Sequence, residues 1–357
     1  MRYRNLHGTD LALSEIGFGT WTITTGWWGT YSDTEAERLI RAAINRGVNY
    51  IDTADAYGNG RGETVLAPVL RDHPELVIGT KFGYDFYSDP GEEGGHRERK
   101  QDFSGRAVRF EVEQSLKRMK IDCIDLLQAH NLKLPQFSDE MFEALDRLKT
   151  QGKIRQWGVA LGPAIGWREE GYQSFIERDA AVVQTVFNMY EQDPGREFCE
   201  IAHARGRGGV IARVPTNSGI LDEEFTSPNH QFPQWDHRKF RDRNWLIYGL
   251  KKNEIIRPLA RRHGLSIRQL SFAWLASFPT LVSIEPNLLK LEDVQEFAAA
   301  ADAPALPRET LEEIERLYES DFNLGEGAHP CDWKSSVTES GTIRSEYRKP
   351  ELEGVGR

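Results

Sequence analysis

The sequence predicts an α/β protein built as a closed (β/α)8 barrel, and three observations predict it. Short apolar runs alternate with helical stretches, one of each per unit, which implies a parallel sheet with right-handed crossovers. Runs such as Val182-Val183-Gln184-Thr185-Val186 and Gly209-Val210-Ile211-Ala212 are apolar at consecutive positions, as strands covered on both faces are. With Leu281–Ile284 as the last there are eight such runs, and eight units favour closure over an open sheet. The runner-up, an open doubly wound sheet, ordinarily shows G-x-G-x-x-G after its first strand, and Gly17-Phe18-Gly19 does not complete that pattern.

Taken in order, residues 2–13 read as a hairpin turning at His7-Gly8-Thr9-Asp10, followed by a buried strand from Ile16 to Trp21. Asp33 is a favourable N-cap, and Thr34-Glu35-Ala36-Glu37 gives an acidic first turn to a helix that ends near Arg46-Gly47. A strand at Val48–Ile51, a helix at Glu63–Leu70, a strand at Leu76–Thr80 and a helix over 105–119 follow. Then come a strand at 123–128, a helix over 139–150 stopped by Gly152, and a strand at Ile154–Val159. The later units are a helix over 171–178, a strand at Ala181–Thr185, a helix over 196–204 and a strand at Gly209–Ala212. Residues 83–104 and 214–250 are too long and polar for mere connections and are expected as loops over the carboxyl-terminal face of the barrel. The expected division is a barrel over 1–320 and an extended C-terminal tail over 321–357, which lacks periodicity.

Bulk properties narrow the function. The 357 residues, 39% hydrophobic and 28% charged, suit a globular chain able to bury a large core without disulfide or metal staples. A net charge of −10 argues against a nucleic-acid or anionic-membrane partner. Cys123, Cys199 and Cys331 are scattered, with neither metal-ligand spacing nor a disulfide framework, as in a reducing compartment. The polar N-terminus and the lack of a long apolar run make a cytoplasmic location the default.

The chemistry concentrates at strand ends. Tyr50-Ile51-Asp52-Thr53-Ala54-Asp55-Ala56-Tyr57-Gly58 delivers a carboxylate at one strand end and a phenol five residues later. The next strand ends on Lys81, and the one after it, ending at Gln128, is followed by His130. A hydride donor reduces a carbonyl only if the oxygen gains a proton, and a phenol is a weak acid unless tuned. Lys81 beside Tyr57 would lower the phenol pKa, Asp52 would hold Lys81 charged, and His130 would orient the carbonyl by hydrogen bonding. Each residue alone reads as a cap, a rim aromatic or a solvated charge. Their conjunction at successive strand ends reads as a site.

The segments Asp52–Gly58, Thr80-Lys81-Phe82-Gly83 and Asp125-Leu126-Leu127-Gln128-Ala129-His130 resemble the signatures of the aldo-keto reductase family, over roughly residues 1–320. The resemblance implies a TIM barrel that binds NADP(H) or NAD(H) extended, without a Rossmann domain. It implies Asp52, Tyr57, Lys81 and His130 as catalytic residues, Tyr57 being the general acid. Its cofactor positions map to Gln184, to Arg213 with Pro215, Asn217, Gly219 and Leu221, and to Asn287, Lys290 and Glu296.

Several positions depart from the family pattern. Ala160-Leu161 stands where a Ser-Asn pair would hold the nicotinamide carboxamide, Arg213 where an aromatic would stack on the ring, and Phe297 where Asn is expected. Arg213 either stacks on a ring or grips an anionic substrate or phosphate group. Trp21, Trp27, Trp28 and Phe82, with Trp333, are the candidate substrate lining. No metal site is expected.

The leading functional expectation is an NAD(P)(H)-dependent oxidoreductase that interconverts an aldehyde or ketone and an alcohol on a small molecule, sugars among them. The partner is then a small-molecule substrate, and the chain is a monomer or homo-oligomer. Two alternatives stay open: redox-neutral lyase or isomerase chemistry around a retained cofactor, and a cofactor-sensing regulatory subunit.

Overall fold

A computed structural model describes residues 1–91, 98–162 and 167–329. Eight parallel strands run in sequence order around the fold: β3 (Phe18–Gly19), β4 (Tyr50–Asp52), β5 (Val77–Phe82), β6 (Ile124–His130), β7 (Ile154–Ala160), β8 (Val182–Val186), β9 (Gly209–Arg213) and β10 (Leu281–Glu285). The first and last strands meet, since Gly17 N donates to Ile284 O and Ile284 N to Glu15 O, each at 2.9 Å. This is a (β/α)8 barrel. No helix among the described residues is long and apolar enough to cross a membrane.

Side chains alternate across each strand, so every second residue points into the barrel. Tyr50, Val77, Leu126, Val182, Ile211 and Val282 form one inward layer. The hairpin of β1 (Tyr3–Asn5) and β2 (Ala12–Ser14) plugs the barrel beneath this layer with Leu6, Leu11 and Leu13, all buried. Each plugging leucine contributes roughly 1.5–3 kcal/mol by leaving water. The outward residues, such as Ile51, Ile78, Leu127 and Val183, pack with the helices in the larger core.

Gly79 is required by this packing. A Cβ there would lie 2.5 Å from Tyr50 Oη, whose ring is fully buried on the neighbouring strand β4. Gly79→Ala is therefore expected to cost about 1–3 kcal/mol. The check is a lowered denaturant midpoint at unchanged slope.

Several elements differ from the sequence expectation. Ser32, not Asp33, caps the helix Asp33–Ile44, in a reciprocal box in which Glu35 N donates to Ser32 Oγ (3.2 Å) and Ser32 N to Glu35 Oε2 (2.8 Å). The first barrel strand stops at Gly19, and Trp21–Thr24 is a helical turn. The helix expected at Glu63–Leu70 is two pieces, Arg61–Thr64 and Ala67–Asp72; the second carries Pro68 in its first turn, where a missing N–H is tolerated. The helix expected over 171–178 begins at Arg168 and continues as a π-helical turn over Gln173–Glu177. The stretch 214–250 is not loop throughout, because Asp242 caps a helix over Arg243–Arg262. Residues 321–329 are not extended: they form two 3-10 turns and seat Phe322 edge-on to Tyr190 at 5.3 Å. The rest of the tail, with Trp333, lies outside the described residues.

Candidate active site

Alternation continues upward from the apolar layer and turns it polar. Two residues above Tyr50, Leu126 and Val182 stand Asp52, Gln128 and Gln184. Asp52 Oδ1 accepts from Gln128 Nε2 and Gln184 Nε2, both at 3.0 Å, and from Tyr50 Oη at 3.3 Å. Its Oδ2 takes the ammonium of Lys81, which also donates to Thr53 O at 2.8 Å. One buried carboxylate thus organises the barrel's polar layer through four donors.

Tyr57 comes from the turn after β4. Lys81 Nζ lies 4.9 Å from the centroid of its ring, and His130, ending β6, meets the ring edge-on at 5.7 Å. The structure therefore brings Asp52, Tyr57, Lys81 and His130 together at the carboxyl end of the strands.

Burial dominates the electrostatics. It opposes the charge on Lys81, but the Asp52 carboxylate outweighs it and raises the ammonium's pKa. Burial raises the Tyr57 phenol, against the pull of Lys81 and Arg213. The expected lowering of the phenol pKa is thus reversed, and Tyr57 stays protonated at neutral pH. His130 is driven well below the ordinary imidazole value by burial and by Lys81, Arg213 and Arg99, so it is neutral there.

Beneath the Tyr57 turn lies a second buried cluster. Glu63 accepts from Thr80 Oγ1 and from Arg118 Nε, both at 2.6 Å, while both carboxyl oxygens of Asp55 lack a hydrogen-bond partner. Glu111 accepts from Gly83 N at 2.7 Å, and burial pushes its carboxyl up to about 8. The folded state therefore holds a proton on Glu111 that the unfolded chain releases near the ordinary glutamate pKa. That stability is present in acid and lost as pH rises toward 8. Glu111→Gln is expected to remove this loss, gaining up to a few kcal/mol over wild type at pH above about 8 and little near pH 4. Urea unfolding of both proteins at the two pH values checks it.

The other expected positions divide. Phe82 is not lining: it alternates away from Lys81 and packs edge-on against Phe103 at 5.7 Å, in the strand–helix core. Trp21 does meet Trp27 (5.4 Å) and Trp28 (6.1 Å), beside the β3–β4 ends, where Thr20 N donates to Asp52 O. His237 closes on Trp21 and Trp28 at 5.2 and 4.9 Å, and Arg238 stacks over Trp28 at 4.6 Å. Arg238 is itself pinned by Asp236, Glu224 and Ser218 O.

Among the expected cofactor positions, Gln184 Nε2 is spent on Asp52 and, at 3.2 Å, on both oxygens of Glu285. Arg213 Nη2 donates to Leu161 O at 2.6 Å and to Gly162 O. Asn217, Ser218 and Gly219 are consecutive left-handed residues, with φ of 51°, 54° and 101°. Only glycine suits the last, where a Cβ would stand 2.3 Å from Glu224 Oε2. Asn217 accepts from Trp245 Nε1 at 2.5 Å and donates to Asn188 Oδ1 at 3.2 Å. Pro215 and Leu221 are buried beside this turn, and Asn287 is half-buried just past β10. Lys290 is exposed at the start of the helix Leu291–Ala300. Glu296 is paired to Arg268, which also holds Asp222 at 2.6 Å and lies over Phe297 at 5.0 Å.

Sequence reasoning missed Glu285 and Gln128 as members of the polar layer. Glu285 ends β10 and Gln128 lies two residues before the end of β6, both with an inward register, and only that register marks them. Burial and the nearby Asp52 push the Glu285 carboxyl well above the ordinary glutamate value.

A (β/α)8 barrel with buried polar side chains gathered at the carboxyl ends of its strands is the architecture of the barrel enzymes. The aldo/keto reductase family model matches residues 15–319, and the chain belongs to that family. It is 29% identical over 325 residues to an NADH-specific methylglyoxal reductase of Escherichia coli, covering 86% of this chain and 98% of that one. It is 26% identical over 335 residues to a probable voltage-gated potassium channel subunit beta of Oryza sativa, covering 90% and 97%. Among solved structures, the glycerol dehydrogenase of Gluconobacter oxydans superposes with a TM-score of 0.73 at 25% identity, covering 88% and 94%.

Proposed function

We propose that the protein is a nicotinamide-dependent oxidoreductase interconverting a carbonyl and an alcohol on a small molecule. The observation that carries this reading is Tyr57, a protonated phenol flanked by the Lys81 ammonium and the His130 imidazole in one cleft. When bound, NADH or NADPH would supply the hydride that adds to the carbonyl carbon. Tyr57 gives its proton to the oxygen as the π pair leaves carbon, and Lys81 stabilises the phenolate left behind until solvent returns a proton. His130, neutral, orients the carbonyl by hydrogen bonding. Asp52 keeps Lys81 in place.

The chain suits a nucleotide along the turn 215–221, where left-handed residues 217–219 bend the backbone; the amides of Asn217, Gly219, Ile220 and Leu221 are bonded within the turn, so the contacts to a nucleotide would come from the side chains around it. Asn287 and Lys290 continue that line past β10. Gln184, tied to Asp52 and Glu285, would position the tetrad rather than the carboxamide. Glu296, held by Arg268, would face the adenosine end as a pair.

The test is turnover of the full chain with NADH and NADPH against a panel of small aldehydes, ketones and alcohols, followed at the nicotinamide absorbance band. A protein inert across the panel with both nucleotides overturns the reading. Nucleotide retained through dialysis without net turnover would instead favour redox-neutral chemistry.

A further inference from the structure

Arg213 ends β9 at the mouth of the barrel, and its charge is felt by both Tyr57 and His130. Its two bonds to Leu161 O and Gly162 O use both hydrogens of Nη2 and fix the guanidinium plane. Nε, buried, and Nη1 make no hydrogen bond, and no carboxylate of the described residues pairs with the group. The acids that share the cleft are already committed: Asp52 to Lys81 and the two glutamines, Glu285 to Gln184. A half-buried guanidinium with no carboxylate partner among the described residues and with donors to spare is completed by an anion.

The size of that anion follows from the barrel. Arg213 ends β9, which stands opposite β5 in the ring of eight strands, and its charge reaches both Tyr57 and His130. A carbonyl at Tyr57 and an anion at Arg213 must therefore belong to a compact molecule. A guanidinium pairs with carboxylate and phosphate alike, and of the two the smaller carboxylate suits a compact molecule that also carries the carbonyl.

We propose that Arg213 binds a carboxylate attached directly to the reacting carbonyl carbon, so that the preferred substrates are small 2-oxo acids and the products 2-hydroxy acids. This rests on the reduction proposed above. The hydride of the reduced nicotinamide forms the new C–H bond, the carbonyl π pair takes the Tyr57 proton, and the carboxylate stays ionised throughout.

The experiment titrates the full chain, with and without NADH and NADPH, with oxamate, its neutral analogue oxamide, and inorganic phosphate, by calorimetry. Oxamate is expected to bind at least about tenfold tighter than oxamide, and Arg213→Gln to weaken oxamate about tenfold or more. Arg213→Lys, which keeps the charge, should retain part of the affinity; this variant covers the case in which Arg213→Gln fails to fold once Leu161 and Gly162 lose their brace. In turnover, the ratio of kcat/KM for glyoxylate to that for glyoxal should fall about tenfold in Arg213→Gln. Equal binding of oxamate and oxamide by wild type overturns the proposal. So does phosphate binding tighter than oxamate through Arg213, or an equal loss on glyoxylate and glyoxal. Absence of nucleotide binding and of all turnover would remove the oxidoreductase reading instead, and oxamate binding through Arg213 would still read out the anion site.

Discussion

Tyr57→Phe is expected to lower carbonyl reduction by about 10²–10⁴-fold, the range a positioned general acid contributes. The substitution removes one oxygen and leaves the ring against His130 and under Lys81, so packing should survive. Nucleotide affinity, read by fluorescence of the reduced ring, should change by less than about threefold, since the phenol acts on the substrate oxygen. The wild-type pH profile should carry the same signature. Burial holds the Tyr57 proton to higher pH than an ordinary phenol, and it holds His130 neutral to lower pH than an ordinary imidazole. The reduction rate is therefore expected to be flat from about pH 7 to 9. A variant retaining more than about a tenth of wild-type kcat would show that the proton comes from elsewhere.

Asp52→Leu should be among the most destabilising single changes in the barrel. It strands the Lys81 ammonium in a buried site and removes the acceptor shared by Gln128, Gln184 and Tyr50. Breaking a buried pair from one side costs about 3–5 kcal/mol, mostly the penalty of the charge left behind. The cost should fall substantially in Asp52→Leu/Lys81→Met, because no charge is then buried, although both variants lose activity. Denaturant unfolding of the single and double variants measures the coupling. A loss below about 1 kcal/mol for Asp52→Leu would mean that Lys81 finds water or another acid, and that the polar layer is not organised as described.

Much of the scaffold was legible because it rests on local rules. Consecutive apolar residues mark strands covered on both faces, and short amphipathic stretches mark the helices between them. Asp52, Tyr57, Lys81 and His130 were legible because each lies at or just beyond a strand end, where a barrel gathers side chains. The errors also have local causes. Ser32 and Asp33 are both good caps, and the choice between them rests on the reach of Glu35. The start of the helix at Arg243 was hidden by its polar, basic first turn.

The sequence by itself determined the order of eight strands and the chemical types delivered at their ends, since both follow from the alternation of apolar runs with helical stretches and from position along the chain. Only the tertiary structure decided which of those residues share a layer. Phe82 and Lys81 are neighbours in sequence yet face opposite sides, while Asp52, Gln184 and Glu285, from three distant strands, meet in one hydrogen-bonded group. Inter-strand register and closure between Gly17 and Ile284 set those meetings. Both are relations between segments, fixed by the packing of the whole barrel.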